Sequence, residues 1–149
     1  MKENKYVKLK EKQQEEINEF PIKYAFGDKQ FENAMRELGL TVNDIDKVIG
    51  VGYGAGFMLK EDYPKYKEML SRQYEEIQYE ILNDREGTGF IKDMFSYELA
   101  NHEYGYTREL DETLIALGIT YNDIEENENL QKGLNLAIKD YDRAEEEEL

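Results

Sequence analysis

Apolar side chains recur along most of this chain at the three- and four-residue spacing of amphipathic helices. These stripes predict helices at about residues 8–19, 29–38, 63–82, 89–101, 108–117 and 128–143. The stretch KVIGVGYGAGFMLK lacks that period and mixes β-branched and aromatic residues with glycines. It predicts a small β-hairpin near residues 47–59, or a glycine-rich loop between two extended pieces. The predicted fold is therefore mainly α (α+β), with five or six helices.

One pattern occurs twice in the chain, at residues 31–46 and again at residues 110–125. Each copy encodes an amphipathic helix, a glycine that can end it in the left-handed conformation, and an acidic turn that a threonine can cap. We predict that the two copies pack as a pseudo-symmetric pair. The identical pairs are Leu38 and Leu117, Gly39 and Gly118, Thr41 and Thr120, Asn43 and Asn122, Asp44 and Asp123, and Ile45 and Ile124.

Helix starts are marked by short polar side chains that can accept hydrogen bonds from the first backbone N–H groups. Such residues precede five of the predicted helices as candidate N-caps. They are Asp28, Asp62, Thr88, Thr107 and Asn127.

The length of the chain bounds its organisation. A chain of 149 residues is long enough to bury a core, so we predict a single domain over residues 1–149. Residues 1–7 and 144–149 are predicted to be disordered ends. There are no cysteines, which excludes disulfides and thiolate metal sites. Without a membrane span or signal-type apolar run, the chain is expected to be soluble and cytoplasmic, with no membrane contact.

The charge balance is strongly acidic. Lys and Arg number 19 and Asp and Glu number 34, a formal net charge of −15. A field of that sign repels phosphate backbones, so direct nucleic-acid binding is not expected. Two interpretations stay open: a surface charged for solubility, or an acidic surface that docks onto a basic partner.

The glycine run at residues 50–55 matches the pattern G-x-G-x-x-[GA]. That motif binds a dinucleotide only where a helix begins directly after the glycines, and here none is predicted before about residue 63. Nucleotide binding is therefore disfavoured. The alternatives are a plain hairpin and a mobile binding loop with Tyr53 and Phe57 as contact residues.

The chain contains one histidine, His102, with Glu98 one helical turn earlier. One histidine without cysteines is too few ligands for a zinc or di-iron site, and the acidic turns lack the glycine of a calcium loop. We therefore predict no metal and no cofactor, and a structural, hydrogen-bonded His102. No nucleophile lies in a catalytic pattern, so the protein is predicted not to be an enzyme.

The segment MFSYELANHEYGYTRELDETLIALGIT, residues 94–120, resembles a family of small acidic proteins encoded by bacteriophages, prophages and plasmids of Gram-positive and gut bacteria. Residues 97–104 carry the most specific part, and the likeness extends over residues 8–140. That family has no assigned activity, so the likeness implies no catalytic role. The resemblance implies residence on a mobile element in a bacterial cytoplasm, and it favours partner binding.

These observations lead to one main hypothesis for function. The chain is predicted to be a non-enzymatic acidic binding or modulator protein that acts on a host or phage protein. The partner is expected to be basic or nucleic-acid-handling. The residues predicted to contact it are Tyr53, Phe57, His102 and Tyr104.

Two other hypotheses stay open. The first is a self-associating structural or accessory phage protein, a homo-oligomer with the apolar helix at 89–101 as its interface. The second, which fewer features favour, is a nucleotide-binding protein or an enzyme.

Overall fold

A computed structural model describes residues 3–52 and 54–148. Within them the protein is mainly helical, with a small three-stranded antiparallel sheet. The helices outnumber those predicted. They are α1 (Lys5–Asn18), α2 (Asp28–Glu37), α3 (Tyr63–Asn83), α4 (Phe90–Asn101), α5 (Tyr104–Thr107), α6 (Asp111–Leu117), α7 (Tyr121–Glu125) and α8 (Glu128–Glu148). The strands are β1 (Lys23–Tyr24), β2 (Val48–Gly50) and β3 (Gly56–Leu59). No described helix is long and apolar enough to cross a membrane.

The chain divides into two compact units. The helical unit comprises residues 1–12 and 76–149, and the mixed unit comprises residues 13–75. The boundaries fall inside α1 and α3, so each of these helices belongs partly to both units. The prediction of a single domain stays a prediction.

Helix α4 lies at the centre of the helical unit. Four of its side chains are fully buried: Ile91, Met94, Phe95 and Leu99. They pack in one cluster with residues of α8 that include Leu130, Leu134 and Ala137. Gly133 permits the close approach of the two helices, because a Cβ there would overlap Ile91 and lie 2.8 Å from the carbonyl oxygen of Gly87. Most of the apolar side chains predicted for the helix at residues 89–101 are therefore buried in the core of the helical unit.

The sheet of the mixed unit has the strand order β1-β3-β2, with both pairs antiparallel. The predicted hairpin near 47–59 corresponds to β2 and β3, where Val48 pairs with Leu59. Strand β1 adds to the other side of β3, and the ring of Tyr24 covers Gly56, whose added Cβ would lie 3.2 Å from the Tyr24 Cε1 atom. The side chains that join α2 to the sheet include Ala34, Met35, Val48 and Phe57.

The two copies of the repeat share a helix, a glycine stop and a capping box, but the first continues as a 3-10 turn kinked at Asp44 and the second as the α-helix α7. Gly39 and Gly118, at φ angles of 78° and 66°, follow α2 and α6 in the left-handed conformation. Thr41 and Asp44 form a capping box, which opens a 3-10 turn at Val42–Lys47. Thr120 and Asp123 form the same box at the start of α7. The helix, stop and cap predicted for each copy are therefore confirmed. Their pseudo-symmetric packing stays a prediction.

The predicted caps of the other helices had mixed outcomes. Asn127 caps α8, with its side-chain oxygen accepting from the N–H groups of Asn129 and Leu130. The prediction for Thr88 is wrong, because the carboxylate of Asp84, and not the Thr88 hydroxyl, accepts hydrogen bonds from backbone N–H groups at the start of α4. It accepts from the N–H groups of Gly87, Gly89 and Ile91 at 3.1, 3.1 and 2.9 Å.

Two further cap predictions are also wrong. Asp28 is the first residue of α2 rather than its cap, and Gly27 occupies the cap position. In the second repeat α6 begins at Asp111, with Leu110 before it, so Thr107 lies too far upstream to cap it. The Thr107 hydroxyl accepts from the N–H of Glu109 instead. Neither helix has a side-chain cap at its start.

Both ends of the chain were expected to be disordered. Helix α1 begins within the first of these segments, at Lys5, and Tyr6 is buried in the core of the helical unit. Helix α8 continues through the second segment to Glu148. Residues 1, 2 and 149 lie outside the described residues.

Candidate functional site

The backbone of the helical unit is most unusual just after α4. Glu103 and Arg108 adopt the left-handed conformation, with φ angles of 53° and 56°, and they are the two non-glycine residues with positive φ in the described chain. Between them lies the short helix α5. A side chain in that conformation costs on the order of 1–3 kcal/mol, and such residues concentrate at functional sites. We refer to residues 102–108 as the strained turn.

Helix α8 holds the strained turn in place through Tyr141. The ring of Tyr104 is buried and meets the Tyr141 ring edge to face, with centroids 5.7 Å apart. The N–H of Gly105 donates a hydrogen bond of 3.0 Å to the Tyr141 hydroxyl. Gly105 also has no room for a Cβ, which would overlap the Glu145 carboxylate and lie 2.6 Å from the Tyr141 hydroxyl. The close approach of turn and helix therefore depends on glycine at 105.

Arg108 holds the other end of the turn. Its guanidinium lies 5.2 Å from the centre of the Tyr104 ring, within cation–π range. It pairs with Asp142 at 2.5 Å and with Glu145 at 3.6 Å. The hydrogen bond to Asp142, followed by contact with Tyr104, raises the pKa of Arg108 above its usual value. Three separate contacts thus offset the strain of the backbone.

Tyr106 is the residue of the strained turn whose side chain extends into solvent. Its side chain is 89% exposed, although its neighbours Tyr104, Gly105 and Arg108 are all anchored. No local pattern in the sequence distinguishes Tyr106. The pattern Tyr104-Gly105-Tyr106 shows two rings that flank a glycine, and only the packing against α8 decides which ring points outward.

His102 belongs to a hydrogen-bonded network at the start of the strained turn. Its Nε2 atom lies 3.0 Å from Glu98 Oε2, and its Nδ1 atom lies 3.8 Å from Glu112 Oε2. The other oxygen of the buried Glu98 accepts a 2.8 Å hydrogen bond from the Tyr6 hydroxyl. Burial, followed by that hydrogen bond, raises the pKa of Tyr6 far above its usual value. Through Tyr6 and Glu98 the network joins α1 to α4. The contact between His102 and Glu98 confirms the prediction of a hydrogen-bonded His102.

The four residues predicted to contact a partner lie in different surroundings. Tyr53 is outside the described residues. Phe57 is buried in the mixed unit, with its ring centre 5.3 Å from that of Phe31, and Tyr104 is buried against Tyr141. His102 is partly exposed. The partner-binding role of these residues stays a prediction, and Phe57 and Tyr104 offer little surface for it.

Two other features bear on chemistry. In the described part of the chain, no group of three or more His, Asp or Glu side chains is placed to hold a metal ion. The mixed unit carries an open groove of ≈ 510 Å³, whose lining includes Glu16, Phe20, Lys65, Met69 and Arg72. Arg72 forms an ion pair with Glu16 in this groove, which therefore carries both signs of charge.

Comparison with known proteins identifies a family but no activity. No curated protein and no solved structure matches the chain. The model of a family of unknown function (DUF7659) matches residues 5–140. The predicted likeness to an uncharacterised family is thereby confirmed, whereas an origin in bacteriophages or plasmids stays a prediction. Because the match covers nearly the whole chain, this protein belongs to the family of unknown function DUF7659.

Proposed function

We propose that this protein is a non-enzymatic binding protein that engages another protein through Tyr106 and the strained turn. The observation that carries the proposal is the contrast between Tyr106 and its neighbours. A ring that is 89% exposed lies on a backbone segment in which Tyr104, Gly105 and Arg108 are tied to α8. A fold gains no stability from exposing a large ring on a strained backbone, so a binding role accounts for both features.

The physical advantage of this arrangement is preorganisation. Tyrosine is enriched among the residues that dominate interface energy, since it offers a large rigid surface and one polar end. Ordering a flexible side chain on binding costs about 0.5–1.5 kcal/mol, and ordering a mobile loop costs more. A turn already held by Tyr104, Gly105 and Arg108 avoids most of the loop cost.

The charge of the chain supports a basic partner. The net charge is −15, and Glu103 and Glu109, within or beside the strained turn, are exposed. An acidic surface attracts a basic protein, speeds its association and makes the binding sensitive to salt. A nucleic-acid-handling protein carries such a basic surface.

The resemblance of residues 94–120 to proteins of mobile elements supports the biological setting. We infer that the partner is a host or phage protein in a bacterial cytoplasm and that binding modulates its activity. The strained turn lies within the segment that carries this resemblance.

The proposal is tested by affinity capture with one pair of variants. The tagged full chain, its Tyr106→Ala variant and its Tyr79→Ala variant are incubated with bacterial lysate at low and at raised salt. Tyr79 is the matched control, because it is an exposed tyrosine on the regular helix α3. Bound proteins are identified by mass spectrometry.

The expected result is a basic protein captured by the unmodified chain and by Tyr79→Ala, lost with Tyr106→Ala and weakened by salt. Equal capture by all three chains would overturn the proposal, as would the absence of any captured protein at low salt.

A further inference from the structure

The two repeat copies share the capping box and the last backbone hydrogen bond of the turn, although the first turn is a 3-10 helix kinked at Asp44 and the second is the α-helix α7. The Ile124 carbonyl oxygen accepts a hydrogen bond from the N–H of Asn127 at 3.2 Å. In the first copy the Ile45 carbonyl oxygen accepts from the N–H of Val48 in the same way. Beyond these residues the two copies diverge, because Val48 enters strand β2 whereas Asn127 caps helix α8.

In the second copy, α8 covers the capped turn. Ile124 is only 9% exposed and shares a core cluster with Leu130 and Leu134. The side-chain amide of Gln131 donates to the carbonyl oxygens of Ile124 and Glu125, each at 2.9 Å. An amphipathic helix thus buries the isoleucine and also binds the carbonyl end of the turn.

In the first copy the same isoleucine is left exposed. Ile45 is 65% exposed, and Val42, one helical turn earlier, is 48% exposed. The carbonyls that correspond to those held by Gln131 belong to Ile45 and Asp46. A carbonyl oxygen has two lone pairs, so the bond from Val48 leaves the Ile45 oxygen able to accept another.

We propose that the capped turn of the first copy, residues 41–47, is a docking site for an amphipathic helix of another protein. That helix covers Ile45 as α8 covers Ile124, and a side-chain N–H donor on it binds the carbonyls of Ile45 and Asp46. The same chain contains an example of this contact, on a turn that opens with the same capping box.

Charge decides which helix is suited to the site. The exposed residues on and beside the turn include the acidic Asp46, Glu32 and Glu37. The bases nearby are already held by acids, since Lys47 pairs with Asp44, Arg36 with Glu32 and Lys23 with Glu37. A second copy of this chain would bring another net charge of −15 and would be repelled. The occupant is therefore a helix of a different protein, with lysine or arginine beside its apolar stripe. The turn belongs to the mixed unit and Tyr106 to the helical unit, so each site has its own variants.

The probe is a synthetic peptide made on the α8 model. It spans residues 127–143 with the substitutions Asp140→Lys and Asp142→Lys, which leave the apolar positions unchanged and make it basic. The peptide is titrated into the ¹⁵N-labelled full chain, and amide chemical shifts are recorded. The expected changes centre on residues 41–48.

Variants of the full chain then assign the contact. Ile45→Asp should lower the affinity for the peptide about tenfold or more, whereas Ile45→Leu should retain it. The matched control is Ile115→Asp, because Ile115 is 78% exposed on α6 of the second copy. That variant should leave the affinity unchanged, as should Tyr106→Ala.

Three results would overturn the inference. The first is the absence of shift changes at millimolar peptide. The second is a set of changes confined to residues 120–131, which would mean that the peptide only competes with α8. The third is an affinity that Ile45→Asp does not alter. Loss of binding by Tyr106→Ala with retention by Ile45→Asp would instead place the contact at the strained turn.

Discussion

The two copies of the repeat show how one local sequence pattern can end in two different degrees of burial. Both begin with a helix, stop at a left-handed glycine and restart with a threonine–aspartate capping box. Ile124 of the second copy is nevertheless buried, whereas Ile45 of the first is exposed. The difference arises from the element that follows each turn. Helix α8 packs over Ile124 in the second copy, whereas strand β2 follows the turn in the first copy and leaves Ile45 exposed.

The point of divergence has a physical explanation. The Asn127 side chain satisfies the N–H groups of Asn129 and Leu130, as a helix start requires. Val48 cannot cap a helix and has a β-branched side chain suited to a strand, where it pairs with Leu59. At equivalent positions, Asn127 therefore favours the start of a helix and Val48 favours the start of a strand.

The largest expected effect comes from truncating the equivalent isoleucines. Ile124→Ala removes buried methyl groups and should lower the free energy of unfolding by about 2–5 kcal/mol. Ile45→Ala removes exposed surface and should change it by less than about 0.5 kcal/mol. Urea denaturation followed by circular dichroism measures both. Equal losses in the two variants would contradict the contrast between the copies.

The capping boxes should give a smaller and equal effect. Thr41→Ala and Thr120→Ala each remove one side-chain acceptor at a helix start, which costs about 1 kcal/mol. The same denaturation measurement compares them, with Thr41→Ser and Thr120→Ser as controls that keep the hydroxyl. If one variant lost several times more free energy of unfolding than the other, the two capping boxes would not be equivalent in energy.

The smallest expected effect is on pH dependence in the first copy. The N–H of Thr41 donates to Asp44 and holds the pKa of that carboxyl below its usual value of 3.8. Asp44 therefore stabilises the fold above its unfolded-state pKa, and this contribution is lost as the pH falls through the lower folded-state pKa. A carboxyl ¹³C titration by NMR measures this pKa directly. Thr41→Ala should raise it slightly, because the variant keeps the backbone donor but loses the hydroxyl that also donates to Asp44. A titration midpoint at or above 3.8 would contradict the expectation.

Much of the fold can be predicted from local signals in the sequence. The long helices, the β2–β3 hairpin and the two capping boxes were predicted because their partners lie within a few residues. Strand β1 and the Asp84 cap were missed. The two residues of β1 are too few to show a period, and Asp84 reaches as far as the N–H of Ile91.

The candidate site was less predictable than the fold. His102 and Tyr104 of the strained turn were predicted to contact a partner, and His102 was predicted to be hydrogen-bonded. Tyr106 was missed, because Tyr104 and Tyr106 are equivalent by sequence and differ only in their contact with Tyr141. The Tyr6–Glu98 hydrogen bond joins residues 92 positions apart, a distance at which no local pattern operates.

Local sequence is enough to set the helices, their glycine stops and the threonine caps, since these depend on atoms within about one helical turn. Burial is decided by tertiary packing instead. Ile45 and Ile124 occupy the same place in the same motif, yet only the second lies beneath α8. Tyr104 and Tyr106 likewise differ only in that Tyr104 packs against α8. Burial depends on distant segments brought together by folding, so residues with similar neighbours in sequence can become core in one place and surface in another.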